Sequence, residues 1–123
     1  MTDVNELADR YVGLWNEPDE ELRRMTIGEL FAVDGTHVDE HIDVTGHEAI
    51  AEVVTAAHQQ FVAEGGFHFR SRGNADGFRN VVRFNWEMVP AGTDQVLAVG
   101  FDFLTLNDDG RIRVDYQFME MAS

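Results

Sequence analysis

The sequence predicts an α+β domain in which a curved antiparallel sheet of about four to six strands wraps around three N-terminal helices. Three observations carry this. Apolar residues recur at helical spacing through most of the first half. They alternate with polar residues through most of the second half. Turns rich in Gly, Asn and Asp separate the alternating runs. A curved sheet closed by helices makes a cone with an apolar mouth.

Val4, Leu7, Ala8, Tyr11, Leu14 and Trp15 fall on one stripe, so residues 3 to 16 read as a first helix. "NEPDEEL" breaks and restarts it. Pro18 suits a first helical position, and Asp19, Glu20 and Glu21 suit the positive end of a helix dipole. This second helix runs to about Phe31 and is expected to bury Leu22, Met25, Leu30 and Phe31. "VDGTHVDEHIDVTG" alternates between its glycines and reads as a strand near 36 to 44. "GHEAIAEVVTAAHQQFVAEGG" is a third helix with Ile50, Val53, Val54, Ala57 and Phe61 inward, ended by Gly65 and Gly66. His58, one position from the inward Ala57, is placed to hydrogen-bond into the cavity or, the favoured reading, to stand at the surface.

The remainder is β. Phe67 and Phe69 alternate with His68 and Arg70. Val82, Phe84, Trp86 and Met88 alternate with Val81, Arg83, Asn85 and Glu87. "PAGTD" is a hairpin loop, residues 96 to 106 form the next strand, and "NDDG" turns into the last, 111 to 120. The whole of 1–123 reads as a single domain.

Composition narrows the function. The net charge is −14 and all nine basic residues are arginines, so a phosphate backbone or an anionic membrane surface would be repelled. No cysteine is present, which excludes disulfides, thiolate metal sites and thiol catalysis. "MTDVNELADRYV" has no positive n-region, and no run is long and apolar enough for a membrane helix, so a cytoplasmic protein is expected. No phosphate-binding glycine loop or nucleophile elbow appears.

The candidate site residues are unusual for where they sit. Asp102 interrupts the apolar run "LAVGFDFLTL". Alternation places Ala98, Gly100, Asp102 and Leu104 on one face, with Val99, Phe101, Phe103 and Thr105 on the other. Either Asp102 points into a cavity with a raised pKa, able to act as acid or donor, or it faces water on a one-sided sheet. In the first case the Phe face is free to pack against a second subunit. His37, Asp39, His41 and Asp43 share one face of their strand, which supports three readings: a general base, a metal site, or a polar outer face. The spacing matches no specific metal motif. Tyr11 lies on the apolar stripe of the first helix, as an ordinary core tyrosine or as a pocket hydroxyl. Arg113 and Asp115 share a face of the last strand.

The helix, helix, short strand, helix and long-strand order resembles the nuclear transport factor 2-like superfamily, and its SnoaL-like branch in particular. "RYVGLWNEPDEE", "LFAVDGTHVD", "GHEAI" and "LNDDGRI" carry the resemblance along nearly the whole chain. Three places resemble ketosteroid isomerase within it. "RYV" puts that family's oxyanion-hole tyrosine at Tyr11, "DGTHVD" puts its base at Asp39, and the residue eight before Gly110 puts its protonated donor aspartate at Asp102. Two positions depart: Glu40 replaces a proline, and "AEVVTAAH" lacks the supporting tyrosine. The Arg113-x-Asp115 pair is similar to part of the epoxide hydrolase arrangement of the same superfamily.

The resemblance implies a pocket, and Trp15, Phe31, Phe61, Phe84, Trp86 and Tyr116 read as its wall or as ordinary core. It implies an isomerase or cyclase, ketosteroid isomerase-like or polyketide cyclase-like, acting on a small apolar carbonyl compound. Asp39 would be the base, and Tyr11 and Asp102 the donors, with no cofactor and no metal needed. A homodimer packed sheet to sheet is expected. The competing expectation is a non-catalytic ligand-binding or dimeric interaction module of the same fold.

Overall fold

Helix α1 (Val4–Asn16) starts where the Asp3 carboxylate accepts from the amides of Asn5 and Glu6 at 3.0 and 3.2 Å. The computed structural model describes residues 3–121. Leu7, Ala8, Tyr11, Val12 and Leu14 form the buried stripe of α1. Asp19 caps α2 (Glu20–Leu30) through the amides of Glu21 and Leu22, so Pro18 precedes the cap and does not open the helix. The buried positions of α2 are Arg23, Ile27 and Leu30, one stripe at i, i+4 and i+7. Leu22 and Met25, expected inside, are exposed. Arg23 sets this phase, because its guanidinium donates inward to the Glu17 carbonyl and reaches the Thr55 hydroxyl.

Strand β1 (Phe31–Val38) follows α2 directly, and a turn at 39–42 separates it from β2 (Asp43–Thr45). The single strand expected near 36 to 44 is therefore two. Asp39 causes the break: its Oδ1 accepts from the amides of His41 and Ile42, both at 2.8 Å, which folds the chain back on itself. Helix α3 (His47–Ala57) continues as a π-helical segment, His58–Glu64. His58 is buried, contrary to expectation, and its Nδ1 donates to the Trp15 carbonyl at 2.9 Å.

The remaining strands are β3 (Phe67–Ser71), β4 (Asp76–Phe78), β5 (Val81–Pro90), β6 (Ala98–Leu106) and β7 (Ile112–Met121). They join β1 and β2 in a curved, unclosed seven-stranded sheet ordered β2-β1-β7-β6-β5-β3, with β4 paired to β5. The expected architecture of helices inside a curved sheet is present, with two differences. The sheet has seven strands rather than about four to six, because the segment near 36 to 44 splits and β4 adds a short edge. β1 also runs parallel to β7, so the sheet is mixed rather than wholly antiparallel. The core lies between the concave face and the helices, where Leu7, Tyr11, Ile27, Ile50 and Val54 meet Phe31, Phe84, Leu104 and Ile112.

One irregularity decides what faces that core. Thr105 pairs with Val114, but Leu106 pairs with Ile112, so Arg113 is an extra residue in β7. This β-bulge reverses the alternation. Ile112 faces inward before it and Asp115 faces inward after it, both fully buried, while Arg113 is exposed. Arg113 and Asp115 therefore do not share a face. The same reversal turns Tyr116 outward, where it is 41% exposed and packs beside Phe103. Tyr116 is not part of the inner wall expected of it.

Candidate functional site

Four adjacent strands and α1 bring their rare polar residues to one place. His37 comes from β1, Asp115 and Gln117 from β7, Asp102 from β6 and Trp86 from β5, with Tyr11 laid over them from α1. His37 and Asp115 are register partners across the parallel pair. Asp102 pairs with Gln117 and Leu104 with Asp115, so the two aspartates are diagonal neighbours on the concave face. Tyr11, His37, Asp102 and Asp115 are each no more than 1% exposed.

The hydrogen bonds define the protonation pattern. Tyr11 donates its hydroxyl to Asp115 Oδ2, which also accepts from His37 Nδ1 at 2.9 Å. Asp102 Oδ1 accepts from the Trp86 indole at 2.7 Å and from Gln117 Nε2 at 3.4 Å. That leaves Asp102 Oδ2 and Asp115 Oδ1 buried without a donor among the described residues. Two ionised carboxylates here would repel and lose their hydration with no return. A single proton on Asp102 Oδ2, donated to Asp115, satisfies both oxygens. Asp115 then sits at the centre, accepting from Tyr11, His37 and Asp102.

The electrostatics agree. Burial, followed by the charge of Asp115, holds the Asp102 carboxyl well above the usual carboxylate range, so it keeps its proton. Burial lifts Asp115 to about 6, against the opposing pull of hydrogen bonds from Asp102 and Tyr11. Burial and the two aspartates also push the Tyr11 phenol well up, so it stays a donor. Burial lowers His37, which keeps it neutral. With Nδ1 donating, His37 Nε2 carries a lone pair and has no hydrogen-bond partner among the described residues.

Beside this cluster lies an apolar cavity of about 140 Å³. Tyr11, Trp15, Phe61, Phe69, Trp86 and Gln117 belong to its wall. Of the residues expected to line it, Trp15, Phe61 and Trp86 do so. Phe31 and Phe84 are core residues one layer back, packed against the Tyr11 ring with centroids 6.4 and 5.6 Å away. Asp102 and Asp115 stand behind Tyr11, Trp86 and Gln117 and do not line the cavity themselves.

Tyr11 and Asp102 thus converge, as the sequence suggests. Asp39 stands apart. It lines a separate groove with Glu40, His41, Tyr116 and Phe118, which shares Gln117 and Met119 with the cavity. Its link to the cluster is Oδ2, 3.9 Å from His37 Nε2. The metal reading of His37, Asp39, His41 and Asp43 does not hold. The turn after Val38 sends His41 to the surface, 85% exposed, and no metal-ligating group of three forms among the described residues. Asp115 and His37 as a pair are what the sequence leaves unseen: period-two alternation turns Asp115 toward the Arg113 side, and only the bulge reveals it.

Similar solved structures share this architecture. One is a presumed isomerase of the SnoaL-like family from Agrobacterium tumefaciens, 35% identical with a TM-score of 0.86, the match covering 98% of this chain and 99% of that one. An NTF2-like protein of unknown function from Exiguobacterium is 20% identical with a TM-score of 0.69, over 93% of this chain and 98% of that one. A presumed polyketide cyclase from Sinorhizobium meliloti is 17% identical with a TM-score of 0.67, over 92% and 94%. At the latter two identities the likeness concerns the fold alone. No family model and no curated protein sequence matches the chain. No helix among the described residues is long and apolar enough to cross a membrane.

Proposed function

The chain belongs to the SnoaL-like family, and on that premise we propose that it is an acid–base enzyme of the isomerase or cyclase type, acting on a small, mostly apolar carbonyl compound. One observation supports this above the rest. The Tyr11 ring lines the apolar cavity while its hydroxyl is tied to the buried proton-sharing carboxyl pair. A carbonyl oxygen seated against Tyr11 would draw that hydroxyl toward itself as negative charge develops on it. The proton of Asp102 would pass to Asp115, and Asp115 would in turn donate to the Tyr11 oxygen. Charge on the substrate is then stabilised without an ion being desolvated during the reaction. Asp39 is the proposed base for the carbon-bound proton, on a substrate that reaches past Gln117 and Met119 into its groove.

A carrier that only holds such a ligand is the second reading. It is favoured by the commitment of the Tyr11 proton to Asp115 rather than to the cavity. The two separate in one experiment. Ketones that raise the melting temperature are incubated with the protein in D2O, and deuterium uptake at the carbon next to the carbonyl is followed by NMR. Uptake that falls in Tyr11→Phe and Asp102→Asn supports the enzyme. Ligands that stabilise the protein but exchange at the buffer rate leave the carrier.

A further inference from the structure

The proton shared by Asp102 and Asp115 has no direct way to water, since both side chains are fully buried. Any turnover that draws on it needs a route of return. His37 lies along a polar path from the cluster toward the outer groove. Its Nδ1 is 2.9 Å from Asp115, and its partnerless Nε2 faces Asp39 Oδ2 across 3.9 Å. Asp39 in turn borders the outer groove and is 22% exposed at its side chain. The groups around the imidazole are Asp39 beyond β1, Asp115 of β7, Asp102 of β6, and Tyr11 and Trp15 of α1, the last with its ring centroid 5.7 Å away.

We propose that His37 is a proton relay joining Asp39 in the outer groove to the Asp102–Asp115 pair inside. The relay rests on the reading above that this pair passes a proton toward Tyr11 during the reaction. The balance is simple. A proton arriving on Asp39 passes to the Nε2 lone pair, and the Nδ1 proton leaves for Asp115 Oδ2. The imidazole is left neutral, protonated on Nε2, and the reverse sequence restores it. A gap of 3.9 Å is longer than a hydrogen bond, so transfer from Asp39 needs either a small side-chain movement or a bridging water. The Oδ1 atom of Asp39, fixed by two amides, anchors the carboxyl while Oδ2 is left to serve His37.

The test needs no substrate. Protein carrying 13C-labelled aspartate is transferred from H2O to D2O near neutral pH, and the isotope shift of the protonated-carboxyl stretch is timed by infrared spectroscopy. The expectation is a protonated-carboxyl band in the wild type whose isotope shift slows by about a hundredfold in His37→Gln and Asp39→Asn, the scale of one lost acid–base step. Asp43→Asn, an exposed carboxylate on β2 outside the groove, keeps the wild-type rate. A wild type with no such band overturns the relay, and so does an Asp39→Asn variant that exchanges as fast as the wild type. Should the buried His37→Gln fail to fold, Asp39→Asn alone decides. If the relay fails, the proposed reaction still stands on deuterium uptake by bound ketones. If that uptake is absent while the relay operates, the reaction alone is lost.

Discussion

Trp86 lies across Gly100 of the neighbouring strand, and from there its indole nitrogen reaches Asp102 Oδ1 at 2.7 Å. A Cβ built on Gly100 would overlap the Trp86 ring itself. The glycine therefore does more than keep a strand thin. It is the space through which a donor is delivered to a buried acid.

Gly100→Ala is accordingly expected to displace Trp86, strip Asp102 of its best donor and destabilise the fold by about 2 kcal/mol through overpacking. Denaturant unfolding measures the loss, and a shifted Trp86 fluorescence maximum in the folded variant identifies the cause. An unchanged spectrum with wild-type stability contradicts it.

Tyr11→Phe removes one donor from Asp115 and leaves its other partners in place. Hydrogen bonding from Tyr11 opposes the rise caused by burial, so its loss moves Asp115 further up from about 6. The expected cost in stability is about 1 to 3 kcal/mol for the lost hydrogen bond to a charged acceptor. Carboxyl 13C shifts followed through a pH titration check the direction.

The same group gives the folded protein a recognisable pH dependence. Asp115 holds its proton more tightly folded, at about 6, than at the ordinary value of 3.8. Between those values the folded state binds more protons than the unfolded one. The contribution of Asp115 to stability is thus fully present below about 4 and is lost as pH rises through about 6. His37, lowered by burial, acts in the opposite sense, losing stability as pH falls below its usual range. Comparison with Asp115→Asn isolates the first effect. The wild-type stability minus that of the variant should decline from pH 4 to 6 and level off above, as read by urea unfolding at each pH.

Asp39 has a structural duty separable from any proton chemistry. Its Oδ1 caps two amides of the turn, a task an asparagine oxygen performs equally well. Asp39→Ala should cost about 1 kcal/mol, whereas Asp39→Asn should leave the melting temperature near the wild type. Equal losses in both variants would mean that the charge, not the cap, supports the turn.

The outer face of the sheet carries Phe101 against Phe118 and Phe103 against Tyr116, with ring centroids 5.9 and 6.5 Å apart. Phe118 is 55% exposed. The proposed occupant of this face is a second copy of the chain, as the alternation of β6 suggests. The wild type is expected to sediment as a dimer and Phe118→Asp as a monomer. A wild type that sediments as a monomer removes the proposal.

Local periodicity made much of this architecture legible. Helical spacing marks α1 and α3, alternation marks β5 and β6, and the same alternation groups Asp102 with Ala98, Gly100 and Leu104 on one face of β6. Tyr11 on the α1 stripe follows from the same arithmetic, so two of the three suggested site residues sit in the buried cluster. Where the pattern fails, a single local event is responsible. The bulge at Arg113 exchanges the faces of Asp115 and Tyr116, and the turn closed by Asp39 cuts one expected strand into two.

What the amino-acid order determined by itself was therefore most of the elements, which follow from short-range spacing, and the apolar stripe that carries Tyr11; for Asp102 it left the cavity and the solvent face both open. What only the tertiary structure decided was their company. The parallel pairing of β1 with β7 sets His37 beside Asp115, and the bulge turns that aspartate toward Asp102. Strand pairing and bulges join residues far apart in the chain, and their register is fixed by the packing of the whole sheet, which no local pattern contains.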